Sequence, residues 1–171
     1  MDIVVIDDLV TGDFTDALKG VHALIYVACP FPGRQDIPTT VRVSICSRHT
    51  FPYLTTLAYP PFHTGLLIQV IVEGSLNVIR QAYAAGVRHV SHTSTVVTFV
   101  EPGAPVYKRL IRSTDWNPLT VEDAEVLQNG MVTYSVSKAL AEKALLKFAE
   151  EHKDLNLVIS KCFALRSRVG S

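Results

Sequence analysis

The hydrophobic pattern of the chain alternates between short apolar runs and longer amphipathic stretches. Short runs rich in β-branched residues are typical of strands buried in a parallel sheet, and apolar residues at three-to-four spacing are typical of helices with one buried face. The pattern predicts strands near residues 3–6, 22–28, 88–93 and 155–159, and helices near 14–19, 73–85 and 134–152. Strands that alternate with helices predict an α/β fold with parallel strands joined by right-handed crossovers.

The ends of the predicted helices carry their own signals. Asp13 stands where it can cap the helix at 14–19, and Gly20 and Gly86 follow two helices as stop signals. The two longer helices have apolar faces formed by Leu76, Ile79 and Tyr83, and by Leu140, Ala144, Leu145 and Phe148.

Two segments do not follow this alternation. Residues 39–69 show no sustained period of either kind, and we expect a poorly packed, irregular insertion there. Residues 99–130 are expected to be rich in loops, and residues 160–171 to form an irregular tail. The predicted organisation is therefore one partial domain over residues 1–159, interrupted by the insertion at about 39–69.

Composition excludes several classes of partner. The chain has 171 residues with 16 basic and 16 acidic side chains and a formal net charge of zero, so no nucleic-acid or membrane partner is expected. Its three cysteines are Cys29, Cys46 and Cys162, which form neither a zinc pattern nor a disulfide framework. This pattern fits a reducing compartment, and without a signal peptide we predict a cytoplasmic protein with no metal site.

The candidate chemistry begins with Tyr134 and Lys138 in the sequence Tyr-Ser-Val-Ser-Lys. Residues four apart on a helix share one face. An ammonium group close to a phenol favours the phenolate, so this spacing can make tyrosine an acid-base catalyst near neutral pH. The alternative is a helical tyrosine beside a solvated lysine with no shared role.

A second group of polar residues ends the strand at 88–93. Thr93, Ser94 and Thr95 follow it directly, and doubly wound α/β folds bind ligands at the carboxyl ends of their strands. Ordinary capping of the strand end is the alternative interpretation.

These landmarks together resemble the extended short-chain dehydrogenase/reductase family. They are, in order, Asp8-Leu9, Val27-Ala28-Cys29-Pro30, residues 72–78, Thr93-Ser94-Thr95, and the segment from Tyr134 to Lys138. Within the family, the chain is most similar to dihydroflavonol-4-reductase-like proteins and to NAD-dependent epimerases/dehydratases. The resemblance implies a three-layer, Rossmann-like, doubly wound parallel sheet and a cofactor that is either NAD or NADP.

The resemblance also implies a role for each residue. Tyr134 would exchange a proton with the oxygen of a small-molecule substrate, and Lys138 would support the tyrosine and bind the nicotinamide ribose. Thr95, with Ser94 as the alternative, would hold the substrate oxygen. Asp8 and Leu9 would border the adenine.

Ala28, Cys29 and Pro30 would lie along the cofactor. The implied activity is NAD(P)-dependent oxidation or reduction at a CH–OH or carbonyl carbon.

The family pattern includes a Gly-rich strand, turn and helix that would precede the first strand of this sequence. Because the amides of such a turn hold the pyrophosphate, we expect this chain to bind NAD(P)H weakly or not at all. The alternative function is a non-catalytic fragment or pseudoenzyme that acts, if at all, through protein contacts.

Overall fold

The computed structural model describes residues 2–6, 8–27, 41–45, 54–55, 64–103 and 110–162. The strands are β1 (Asp2–Ile6), β2 (Ala23–Tyr26), β3 (Val41–Ile45), β4 (Leu54–Thr55), β5 (His89–Thr95) and β6 (Asn156–Cys162). The helices are α1 (Thr15–Leu18), α2 (Thr64–Ala84), α3 (Val121–Leu127) and α4 (Gly130–Glu151), with a 3₁₀ turn at Val96–Thr98.

Strands β2, β5 and β6 form a parallel sheet in that order. Tyr26 pairs with His92, which in turn pairs with Ile159. Helix α2 connects β2 to β5 and helix α4 connects β5 to β6, and the two helices pack against each other. Both crossovers advance across the sheet in the same direction, so right-handed connections place both helices on one face. The predicted α/β fold and the parallel pairing of these three strands are confirmed.

The prediction that residues 3–6 join the parallel sheet is wrong. Strand β1 pairs antiparallel with β3, from Asp2 opposite Ile45 to Ile6 opposite Val41, and β3 continues to β4 in a separate sheet. A strand must find partners for its backbone N–H and C=O groups, and the five-residue β3 offers a complete antiparallel ladder.

The expectation of irregular structure throughout residues 39–69 is also wrong in part. This segment contains β3, β4 and the first six residues of α2. The helix begins at Thr64, well before the predicted start near residue 73, and both Thr64 and Leu67 are buried. Whether the segment is an insertion stays a prediction.

Local signals at the helix ends are partly confirmed. Gly20 and Gly86 have φ angles of 71° and 91°, the left-handed conformation that favours glycine after a helix. Asp13 does not cap α1 as predicted, because the N-cap position is occupied by Phe14. The Asp13 carboxylate instead accepts a hydrogen bond from the Thr15 amide at 2.8 Å. The expected loop at 99–130 contains helix α3, which begins with a capping box between Thr120 and Asp123.

The apolar core lies between the parallel sheet and its helices. Leu24 and Val90 of the sheet pack with Ile79 of α2 and Leu145 of α4, and Leu9 closes one side. None of the helices in the described ranges is both long and apolar enough to cross a membrane. This core fixes α4 against β5, and that contact positions the candidate site.

Candidate active site

The carboxyl end of β5 holds the three hydroxyl residues that the sequence singled out. Side chains alternate between the faces of a strand, and along β5 every second residue is buried, including His92 and Ser94. Thr93 and Thr95 lie on the other face and are half-buried. The 3₁₀ turn follows Thr95 directly, so the chain turns away at the edge of the sheet.

The first half of α4 is built to pack closely. Its N-cap is Asn129, whose side chain accepts hydrogen bonds from the amides of Met131 and Val132. Ser135 and Ser137 are fully buried, and each donates its hydroxyl to a main-chain carbonyl four residues earlier, at 2.6 Å. Small residues with internally bonded hydroxyls let this helix approach the sheet and the 3₁₀ turn without unpaired polar groups.

Tyr134 and Lys138 occupy this close-packed half of the helix. Tyr134 is half-buried and packs against a small cluster that contains Leu67, Ile71 and Ala141. Lys138 is only 2% exposed. Its Nζ donates to the main-chain carbonyl of Thr93 at 3.3 Å. The alternative of a solvated surface lysine is therefore wrong, because the ammonium group reaches the end of β5 from inside the protein.

Ser94 and Thr95 have different surroundings. Ser94 is 4% exposed and donates its hydroxyl to Glu142 Oε2 at 2.8 Å. Thr95 is half-buried, and its carbonyl accepts a hydrogen bond from the Thr98 hydroxyl at 2.9 Å. The convergence of Thr95 with Tyr134 and Lys138 stays a prediction.

Two charged residues that sequence reasoning missed adjoin these hydroxyls. Lys161, from β6, forms an ion pair with Glu142 and donates to Thr98 Oγ1 at 2.6 Å. Glu142 is four residues after Lys138 and eight after Tyr134, so helical spacing alone could have found it. No local signal marks Lys161, because only the pairing of β5 with β6 brings it near Ser94.

His92 lies beneath this group on the same face of β5. Its ring stacks on Tyr26 with centroids 5.3 Å apart, and neither ring nitrogen has a hydrogen-bond partner among the described residues. Burial, followed by the positive charges of Lys138 and Lys161, holds the pKa of His92 well below its ordinary value. The imidazole is therefore neutral near pH 7.

The other predicted cofactor residues are only partly described. Asp8 is exposed, and its Oδ1 accepts hydrogen bonds from the amides of Val10 and Thr11 at 2.6 and 3.0 Å. Leu9 is buried against Gly74 of α2. Residues 28–30, the predicted Ala28-Cys29-Pro30 segment, lie outside the described residues.

Solved structures with a similar fold include three reductase or NADPH-bound chains. Gre2 of Candida albicans in complex with NADPH gives a TM-score of 0.60 at 20% identity, covering 91% of this chain and 40% of that chain. A reductase engineered to attenuate substrate inhibition in asymmetric catalysis gives 0.59 at 21% identity, covering 86% and 38%. The yeast methylglyoxal/isovaleraldehyde reductase Gre2 with NADPH gives 0.53 at 18% identity, covering 86% and 37%. This chain shares their fold.

Sequence comparison covers less of the chain. No protein-family model matches it. Over 91 residues, which are 51% of this chain, it is 32% identical to an uncharacterized oxidoreductase of Schizosaccharomyces pombe. The chain spans 26% of the length of that relative and about two fifths of each structural neighbour, between 37% and 40%.

Proposed function

We propose that this chain carries the acid-base residues of an NAD(P)-dependent oxidoreductase that acts on a CH–OH or carbonyl group of a small molecule. The observation that carries the proposal is the buried ammonium of Lys138, one helical turn from Tyr134 and bonded to the end of a parallel strand. A buried charge is costly and rarely retained without a role. Support comes from the resemblance of the sequence to extended short-chain dehydrogenases/reductases and from the fold shared with the NADPH-bound structures.

The proposed chemistry assigns one proton-transfer step to Tyr134. In the direction of reduction, its phenol donates a proton to the carbonyl oxygen of the substrate, and in oxidation the phenolate takes the proton back. Lys138 stabilises the phenolate electrostatically. An ammonium group has three N–H donors, and the bond to Thr93 uses one of them, which leaves donors for a ribose hydroxyl. The nicotinamide supplies or accepts the hydride when it is bound.

The Ser94–Glu142 hydrogen bond favours Thr95 as the residue that holds the substrate oxygen. The hydroxyl hydrogen of Ser94 is already donated to a buried carboxylate. A serine has a single O–H donor, so donation to a substrate would break that bond. Thr95, at the last position of β5, is half-buried and lies on the opposite face of the strand.

Among the described residues, those proposed to hold the cofactor are Lys138 for the ribose and Asp8 for the adenine, because the Leu9 side chain is buried in the core. The exposed carboxylate of Asp8 follows a strand end and is oriented by two backbone amides, which suits an acceptor for ligand donor groups. We extend the proposal to a dihydroflavonol-4-reductase-like enzyme of a reducing compartment, on the resemblance of the sequence.

The test combines cofactor titration with turnover. NADPH and NADH are titrated by fluorescence into this chain and into a version preceded by a Gly-rich strand, turn and helix. Turnover of carbonyl substrates is then compared between whichever of these two proteins binds the cofactor and the Tyr134→Phe variant of that protein. We expect the variant to bind cofactor normally and to lose at least 100-fold in kcat, the lower range for a lost general acid being about 10²-fold.

Tyr83→Phe is the matched control, since Tyr83 lies at the other end of the sheet, near Asp154, and should leave turnover unchanged. Full turnover by Tyr134→Phe would contradict the assignment of the acid. If neither this chain nor the extended version binds NADPH or NADH, the result would favour the alternative of a non-catalytic fragment or pseudoenzyme.

Lys138→Met separates the role of this lysine from stability. Replacement of a buried ammonium by an apolar side chain of similar length removes the cost of burying the charge. We expect an unchanged or higher Tm together with lost turnover, as measured by thermal unfolding and steady-state kinetics. A clear drop in Tm would mean that Lys138 is retained for the fold instead of for the reaction.

A further inference from the structure

Three consecutive residues at the end of β5 are each held by a different side chain. The Thr93 carbonyl accepts from Lys138, the Ser94 hydroxyl donates to Glu142, and the Thr95 carbonyl accepts from Thr98. Two of these holding side chains come from α4 and one from the 3₁₀ turn. The backbone on both sides of the Thr95 side chain is therefore fixed through side-chain hydrogen bonds as well as through the sheet.

Lys161 joins these separate contacts into one network. Its ammonium group pairs with Glu142 of α4 and donates to Thr98 of the 3₁₀ turn at 2.6 Å. It also lies 4.0 Å from the ring centroid of Phe99 and 5.6 Å from that of Trp116. One side chain of β6 thus contacts the helix of Tyr134, the turn after Thr95 and the loop that follows.

Burial makes this network energetically significant. The side chains of Glu142 and Lys161 are 5% and 17% exposed. Their attraction must offset the loss of hydration of both charges, and a well-packed apolar pair of similar size is often at least as stable. Stability alone is therefore a weak reason for an ion pair at this place.

We propose that Glu142 and Lys161 form a positioning pair that fixes the distance between the Tyr134 helix and the Thr95 strand end. This inference rests on the proposed function of Tyr134 and Thr95. In this proposal the two charged residues act through Ser94 and Thr98 instead of on the reacting atoms. Glu142 connects α4 to β5 through Ser94, and Lys161 connects α4 to Thr98 and so to the Thr95 carbonyl. A shift of about 1 Å between reacting groups can cost about 10²-fold in rate, so a small relaxation of this contact would lower kcat.

The decisive variant neutralises both charges at once. Glu142→Gln or Lys161→Met alone leaves one buried charge without its partner and should destabilise the protein. The double variant Glu142→Gln/Lys161→Met leaves neither member of this pair as a charge without its partner, and methionine keeps an apolar stem against Phe99. We expect its Tm to recover most of the loss seen in the single variants, while kcat stays at least tenfold below the unmodified protein and KM for the cofactor changes by less than about twofold.

A purely structural pair would behave differently. In that case kcat of the double variant would recover in parallel with Tm, and this result would overturn the proposal. Glu150→Gln is the matched control for α4, because Glu150 is exposed near the far end of the same helix, and it should change neither Tm nor kcat.

Amide hydrogen exchange tests the inference independently of catalysis. The amides of Phe99 and Asn117 donate to carbonyls of the 3₁₀ turn at 3.0 and 2.8 Å, whereas the Val87 amide donates at the opposite end of the sheet. In the double variant, we expect the first two to exchange at least tenfold faster and Val87 to be unchanged. Unchanged exchange at Phe99 and Asn117 would refute the positioning role even if the protein shows no turnover at all. Faster exchange without turnover would support the pair and count against the proposed function alone.

Discussion

The buried imidazole of His92 predicts a specific loss of stability in mild acid. His92 is fully buried, and its ring faces Tyr26 of β2, Lys138 of α4 and Lys161 of β6. Protonation in the folded state would place a third positive charge beside two ammonium groups in a region of low dielectric. Burial and these charges lower the pKa of His92 well below its ordinary value.

The sign follows from proton uptake on unfolding. Because the pKa is depressed in the folded state, the unfolded chain binds a proton below about pH 6.5 that the folded chain does not. The stability that depends on neutral His92 is fully present above pH 6.5 and is lost as the pH falls from there toward the folded pKa. Each pH unit within this window costs about 1.4 kcal/mol. If His92 stays neutral in the folded protein throughout, the free energy of unfolding falls by about 2 kcal/mol between pH 8 and pH 5.

The assay is urea unfolding at fixed temperature from pH 8 to pH 5 for the unmodified chain and for His92→Phe. Phenylalanine keeps a ring against Tyr26 but cannot be protonated. The depressed pKa values of the exposed Asp13, Glu122 and Asp154 belong to both proteins and therefore cancel in the difference. We expect the difference in unfolding free energy to change by about 2 kcal/mol over this range. Identical pH dependence in the two proteins would show that His92 is not a buried neutral group.

Two further predictions concern packing and a surface hydrogen bond. A Cβ atom on Gly74 would lie 2.6 Å from Leu9 Cδ2, whereas a Cβ atom on Gly65 would meet nothing within 4 Å. Gly74→Ala should therefore lower the free energy of unfolding by about 1–3 kcal/mol. Gly65→Ala should be neutral or stabilising by up to about 1 kcal/mol, with urea unfolding as the measurement for both variants. The hydrogen bond from Tyr83 to Asp154 raises the pKa of Tyr83. Asp154→Asn should therefore return that pKa toward its ordinary value near 10, as measured by ultraviolet titration with Tyr83→Phe as the reference that removes the signal of this tyrosine. An unchanged pKa of Tyr83 in Asp154→Asn would contradict this cause.

The sequence predicted those parts of the fold that depend on local periodicity. Strand β5, helix α4 and the buried face of α2 all follow from the spacing of apolar residues within one segment. The partner of β1 was missed although Val41, Val43 and Ile45 alternate with polar residues, the usual pattern of a strand. The pattern covers only five residues within a segment that otherwise lacks a period.

The candidate site was predicted only as far as one element determines it. The Tyr134 and Lys138 spacing is a property of one helix and could be read directly. The burial of Lys138 and its bond to Thr93 depend on the packing of α4 on β5, which pattern reasoning does not supply. The contact between Lys161 and Glu142 could not be predicted from the sequence either, because Lys161 approaches Glu142 only through the register of β5 with β6.

Helices α2 and α4 pack on the parallel sheet through different kinds of residue. This difference supports the proposed location of the active site at α4. Around Ile79 and Val87 the interior is apolar. Between α4 and the end of β5 the buried residues include Ser94, Lys138 and Glu142. Polar interiors cost free energy wherever an apolar alternative would fit, and departures from apolar packing concentrate at functional sites. The polar interior lies at the carboxyl edge of the parallel sheet, the edge where doubly wound folds bind their ligands. Two buried charges, Lys138 and Glu142, lie at this edge, and this placement fits the proton transfer that we propose for Tyr134.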